Sequence, residues 1–346
     1  MWSKIWRRLG LVLLLGGTLL ATMVGRYLFD GGLFHVLAQH VPATCSAIDL
    51  GGNTFRDMAV DQTTGMLYVS TGGASENTGA IKRVDLTAAE LKLEPALSKA
   101  PTNFTPDVIG LFSMDGTRRL FAVNRAVADH PTLEMFDYGE DGLWSHAANM
   151  RDTRFQNPAD VQPVGPDAFY IANRPSSRNP VETGMEMLLG RNKGTLIYNN
   201  GERTIAAVIE MAGAGGLGIS PDGKMLYVTQ PLSRDVRTYE REPLMGSMKN
   251  GKSIKVPGAP RHLEVAADGS LWVALDPQLG WGERAPAKGA PTQIIRIEDP
   301  NTDPKITEPY VALDGSFSAA TVAVPFGNRL AIGSPVESHI QVCTLP

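Results

Sequence analysis

One short pattern recurs six times along this chain and limits what it can fold into: a turn, then a brief apolar run. The copies are VDQTTGMLYVST from Val60, SMDGTRRLFAVN from Ser113, PVGPDAFYIAN from Pro163, SPDGKMLYVTQ from Ser220, AADGSLWVAL from Ala266 and VPFGNRLAIGS from Val324. Gly, Pro, Asp and Asn supply the turns, and apolar runs this short between turn residues read as strands. Five copies carry an aromatic at the matching position: Tyr68, Phe121, Tyr170, Tyr227 and Trp272. The sixth has Ala331. A second strand-like run follows each copy, as IKRVDL at Ile81, LEMFDY at Leu133, TLIYN at Thr195, VRTYER at Val236, QIIRIE at Gln293 and IQVCTL at Ile340.

Neighbouring copies stand 45–59 residues apart. Multi-stranded repeats of about this period predict a β-propeller, because one blade cannot bury both faces and must stack on its neighbours around an axis. Six copies predict an all-β, six-bladed β-propeller over 45–346. A β-sandwich gives no reason for sixfold repetition of one motif. The 346 residues suffice for a large core, and 36 Gly with 24 Pro suit many tight turns. A net charge of −4 and the lack of a long basic stripe argue against nucleic acid as a partner.

The N-terminus departs from this rhythm. Lys4, Arg7 and Arg8 precede residues 9–25, a run of 17 without a charge. A basic flank before an apolar segment predicts a signal anchor or signal peptide over 1–26. No good small-x-small exit follows, which favours an uncleaved transmembrane anchor. The basic flank then stays cytoplasmic, and the rest is exported to the periplasmic, extracellular or lumenal side. Residues 27–44 read as a linker with an amphipathic segment. Export makes a bridge between the two cysteines, Cys45 and Cys343, an expectation. Two separate buried thiols are the alternative. Two further exceptions are a short amphipathic helix expected over 179–192 and a Gly/Pro-rich loop over 276–291 holding Trp281. Either is suited to cap the channel or to pack outside it.

Several segments together carry a family resemblance: NPADVQPVGPDAFYIAN, GLGISPDGKMLYVTQPLSRDVRTYE, HLEVAADGSLWVALDP and SAATVAVPFGNRLAIGSPVESHIQVCTL. Over roughly 45–346 the chain resembles the paraoxonase/arylesterase family, within the wider SMP-30/gluconolactonase-like group. The resemblance implies a six-bladed propeller, a disulfide at the two cysteine positions, and hydrolysis of esters and lactones. It also implies a calcium at the funnel floor, a second calcium deeper in the channel, and a histidine pair above.

Position by position, that site is rewritten. Where the family places funnel-calcium ligands, this sequence has Arg56, Ala159, Gly215, Arg261 and His262. Asp107 and Arg125 stand where the histidine pair belongs, and Arg174 replaces a family aspartate. The catalytic calcium is therefore expected to be absent, with several arginines in its electrostatic place. The deeper, structural calcium is expected at the carboxylates of Asp57 and Asp160 with the carbonyls of Ile109 and Ala159. The alternative makes both aspartates ordinary turn residues or partners of arginines.

Guanidinium groups suit carboxylates and other planar anions, so Arg56, Arg125, Arg174 and Arg261 are the candidate substrate-binding residues. Asp107 and His262 are the candidate acid/base pair, provided that they meet. Internal pairing of these charges in a site without function is the bland alternative. The functional expectation is a divergent ester/lactone hydrolase acting on a small anionic ester, lactone or carboxylate. The alternative is a non-catalytic propeller that binds a ligand or a protein. A weaker resemblance to strictosidine-synthase-like propellers lacks an assignable pocket glutamate. There is no G-x-S-x-G elbow. His35, His40, His130, His146 and His339 show no zinc spacing. AGAGGLG precedes a strand and so is no nucleotide loop. Asn103-Phe104-Thr105 is a formal glycosylation sequon.

Overall fold

The computed structural model describes residues 2–30, 36–73, 78–114, 116–127, 130–174, 193–243, 245–277 and 287–346. The helix expected over 179–192 and the Trp281 loop tip lie outside the described residues. Within them the six-bladed propeller is present. Five sheets are four-stranded, and one gains a fifth, short strand. Each predicted turn–strand unit forms the second strand of a blade: Met66–Gly72, Thr117–Asn124, Phe169–Asn173, Met225–Gln230, Leu271–Asp276 and Arg329–Gly333. Turn chemistry sets these hairpins. Gly65, Gly116, Gly223, Gly269 and Gly327 all hold positive φ, which an L side chain adopts only with strain.

Propeller closure follows from packing. The first strands of the blades are Thr54–Val60, Pro106–Met114, Pro158–Pro163, Leu217–Ile219, Ala259–Val265 and Val322–Phe326. Each touches the first strand of the next blade, and the last touches the first, so the six line a closed axis. Six apolar clusters result, one between each pair of adjacent blades. The repeated aromatics are their anchors. Tyr68, Phe121, Tyr170, Tyr227 and Trp272 are buried, and Ala331 takes the same place in the last blade.

The ring is also fastened through the backbone. Thr44–Asp49 leaves the N-terminal side and pairs antiparallel with His339–Thr344, as the outer strand of the sixth blade. Cys45 falls opposite Cys343 in that ladder, and the two form the disulfide. Just before it, His40 and Val311 exchange backbone hydrogen bonds, tying the lead-in to the fifth blade.

The N-terminal expectation needs correction. A helix does form, Trp2–Asp30, and Leu13 and Leu14 stand 69% and 68% exposed on it. Among the described residues, however, no helix is long and apolar enough to cross a membrane. The charge-free run is short for a span. At 1.5 Å per residue it extends about 26 Å, against a hydrocarbon core of about 30 Å.

Candidate functional site at the propeller axis

All six axial strands run in the same direction, so their first residues gather at one mouth of the channel. In four of the blades the pairing of that strand with the next is irregular just there. The breaks span Phe55 to Asp57, Pro106 to Ile109, Pro158 to Asp160 and Pro260 to Leu263. Such bulges re-aim side chains that a regular strand would bury in a blade face. Arg56, Asp107, Ala159, Arg261 and His262 all lie inside these breaks. The same local device therefore supplies the site from four blades.

Beside these breaks, three side chains from alternate blades converge. Nδ1 of His262 lies 3.6 Å from Oδ1 of Asp57 and 3.4 Å from Oδ2 of Asp160. The carboxylates are oriented from the neighbouring blades. Asp57 Oδ2 accepts the N–H of Ile109 at 2.8 Å. Asp160 accepts from Val161 and from Leu217, each at 2.7 Å. Oδ1 of Asp57 is buried and accepts no hydrogen bond. On the far side of the imidazole, Nε2 faces Glu264 Oε2 at 3.7 Å. A cavity of about 50 Å³ continues from there, lined by His262, Glu264, Asp160, Gln162, Leu111 and Ala59 among others.

Burial pushes the carboxyl groups of Asp57 and Asp160 upward, with His262 pulling them back. For His262, burial disfavours the charged ring, but the carboxylates of Asp57 and Asp160 outweigh it and push the imidazole up to about 10. Two buried carboxylates with Glu264 close by leave even a protonated histidine outnumbered. The centre is short of positive charge.

At the mouth above, arginines meet carboxylates. Arg125 donates from Nε to Asp107 and from Nη2 to the carbonyl of Pro158. Arg261 donates from Nη2 to Asp276 at 3.1 Å. Arg174 follows the strand Phe169–Asn173, its N–H bound to the carbonyl of Asn157 at 2.9 Å. Arg56 is exposed. Arg125 and Arg261 are thus each engaged by a carboxylate at this end of the channel.

The site residues expected from sequence therefore fall into two levels. Arg56, Asp107 and Arg261 lie in the breaks at the starts of axial strands, with Arg125 on Asp107 and the backbone of Arg174 on Asn157; Asp57, Asp160 and His262 converge beneath, with Ile109 donating to Asp57. Asp107 and His262 do not form the expected pair: Asp107 is engaged by Arg125, and His262 by the two buried aspartates. Sequence reasoning missed Glu264 and Asp276. Glu264 was legible, since residues two apart on a strand share a face and His262 already pointed inward. Asp276 ends the strand opposite Ala259 and had no such signal.

A sequence model of the Arylesterase family matches residues 36–345. The chain belongs to the Arylesterase family. Serum paraoxonase/arylesterase 2 of Gallus gallus is 25% identical over 294 residues, covering 78% of this chain and 80% of that protein. Serum paraoxonase/arylesterase 1 of Homo sapiens is 27% identical over 242 residues, 67% of this chain and 66% of that protein. Among solved structures, a gluconolactonase from Xanthomonas campestris superposes with a TM-score of 0.55 at 15% identity, covering 90% of this chain and 99% of its own. Regucalcin from Agrobacterium tumefaciens, described as a calcium-binding protein, gives a TM-score of 0.53 at 12% identity over 89% of this chain and 96% of its own. At such identities the structural likeness speaks for the fold alone.

The family's calcium needs six to eight oxygen ligands. At the mouth, Arg56, Ala159, Gly215, Arg261 and His262 offer no side-chain oxygen. Nor is there space for one at Gly215, where an added Cβ would meet Thr229 Oγ1 at 2.4 Å. Deeper in the channel, the atom that faces both carboxylates is a ring nitrogen. The side chains at the mouth do not fit calcium, whereas the deeper level keeps two buried carboxylates beside that ring nitrogen.

Proposed function

We propose that this member of the Arylesterase family is an ester- or lactone-hydrolase-type protein whose mouth receives a small anionic substrate. The carrying observation is Arg56, exposed and without an ion-pair partner among the described residues, at the same mouth as Arg125, Arg174 and Arg261. A guanidinium there binds the substrate's carboxylate through parallel N–H donors. Arg261, held by Asp276, is placed to stabilise the oxyanion that develops when water adds to the ester carbonyl. Asp107 is the carboxylate at that level, able to take the water's proton and return it to the departing alkoxide. His262 lies below this chemistry and takes no part in it.

Arg56→Ala should raise KM for a carboxylate-bearing lactone about tenfold, the loss of roughly one charge-assisted contact, and leave a neutral ester unaffected. Equal changes for both substrates would sink the reading. Export with the N-terminal helix attached to a membrane belongs to the same proposal. It is supported by the disulfide and by the exposed leucines behind a basic flank. Protease added outside intact cells or sealed spheroplasts should then cut the propeller; complete protection there would count against export.

One observation favours a second reading. The clasp of Arg125 on Asp107 leaves the candidate base already paired, as suits a binding propeller better than a general base. That reading expects thermal stabilisation by small carboxylates without turnover of any ester or lactone.

A further inference from the structure

We propose that a cavity between the second and third blades, at the end of the propeller away from the mouth, binds a small organic cation: an ammonium group on a compact apolar body. The inference is independent of the hydrolase reading above and uses none of the residues at the mouth.

The cavity's place follows from strand pairing. The axial strand Pro158–Pro163 starts at the mouth and ends at Pro163, which pairs with Phe169; Phe169 in turn pairs with Asn199. These residues therefore lie at the far end of the third blade. Beside them is a cavity of about 330 Å³, within the range of about 300–1,000 Å³ that small-molecule sites occupy. Its inner wall is apolar. Phe169 is buried and packs on Phe121 and Phe155, with ring centres 5.7 and 6.2 Å away. Met135 and Met150 complete that wall as the partly buried margin of the apolar cluster between the two blades. Methionine side chains adapt to varied apolar bodies, and an aromatic ring attracts cations to its face.

The rim carries charge of one sign. Asp167 and Glu202 line the cavity, and no Lys, Arg or His does. Asp167 gives Oδ1 to Arg119, whereas Glu202 is exposed and has no ion-pair partner among the described residues. The turn that carries Glu202 is built in advance of any ligand. Asn199 Oδ1 accepts the N–H of Gly201 at 2.7 Å, and Asn200 Oδ1 accepts those of Glu202 and Arg203 at 3.1 and 3.0 Å. Gly201 has a φ of +90°, and a Cβ added there would meet Cβ of Asp167 at 3.2 Å. The turn thus closes tightly on Asp167 and holds both carboxylates at one rim. An anion would meet two like charges here, and a neutral body would use the wall alone. An organic ammonium ion satisfies wall and rim together.

Titration of the full chain with phenethylammonium, followed by calorimetry and ligand-detected NMR, tests this, with phenethyl alcohol as the neutral counterpart. Phenethylammonium should bind with a stoichiometry of one and a Kd of about 1 mM or tighter, and the alcohol at least about fivefold more weakly. Glu202→Lys is an exposed substitution that should leave the unfolding midpoint unchanged and abolish binding of the ammonium ion. Met150→Trp fills the cavity and should remove binding of both probes. Equal affinity for the two probes, no saturable binding of phenethylammonium, or wild-type affinity in either variant would each overturn the proposal.

Discussion

Cys45 lies opposite Cys343 in the ladder that closes the sixth blade, so the disulfide joins the two ends of the ring across a separation of 298 residues. The strand Thr44–Asp49 and the blade that it completes are otherwise held by backbone hydrogen bonds and packing. Opening the ring frees a very long loop in the unfolded chain. The loop-entropy account places the bridge's contribution at no more than about 6 kcal/mol. Cys45→Ser with Cys343→Ser should therefore lower the unfolding midpoint by several degrees while the circular-dichroism spectrum stays that of a β protein. An unchanged midpoint would mean that the ring needs no covalent latch.

Asp61 and Arg118 join the first and second blades through a buried carboxylate and a guanidinium that also stacks over Tyr138, 4.1 Å from the ring centre. Burial alone would push the Asp61 carboxyl up, but the N–H of Thr63 and the Arg118 guanidinium outweigh it and hold the group below its usual range. With the folded value below the unfolded one of about 3.9, the stabilisation is complete above that pH and fades as pH falls through the folded value. Asp61→Asn should cost about 2 kcal/mol at pH 7. The gap between variant and wild type in urea unfolding should narrow below about pH 4. A gap that widens on acidification would reverse the assigned sign.

Tyr68 represents the repeated aromatic. It is buried against Trp144 of the next blade, the rings meeting edge-on at 5.4 Å. Tyr68→Ala should destabilise the chain by about 3–5 kcal/mol in denaturant unfolding. A loss under about 1 kcal/mol would show that this blade interface tolerates a cavity and that the aromatic is not its anchor.

The blades were legible because each is built locally: turn glycine, buried aromatic and second strand fall within one short stretch, and the stretch repeats. The site was legible only in part. Asp57, Asp160 and His262 come from three different blades, about a hundred residues apart in sequence, and no local spacing marks them. Their convergence is a property of the closed ring. The resemblance identified which positions face the axis, but it could not tell that His262 turns its ring down between the two aspartates or that Arg125 reaches Asp107. Those orientations depend on bulges in the axial strands, which the alternation of polar and apolar residues does not encode. Glu264 shows the limit from the other side: strand alternation from His262 pointed to it, yet it was missed.

Asp107 decides between turnover and mere binding. It is held by Arg125, and among the described residues no histidine forms an ion pair with it. If it accepts the proton of the attacking water, Asp107→Asn should lower kcat for a lactone by at least about a hundredfold, the usual scale of general-base catalysis, with KM little changed. Its Arg125 partner should behave differently. Arg125→Lys cannot reach Asp107 and the Pro158 carbonyl together, so it should lose orientation and lower kcat by about tenfold. Both effects are read from initial rates between pH 5 and 9. Wild-type-like kcat in Asp107→Asn would remove the base from the mechanism. Absence of turnover in the wild type, together with stabilisation by carboxylates, would leave the binding propeller as the reading.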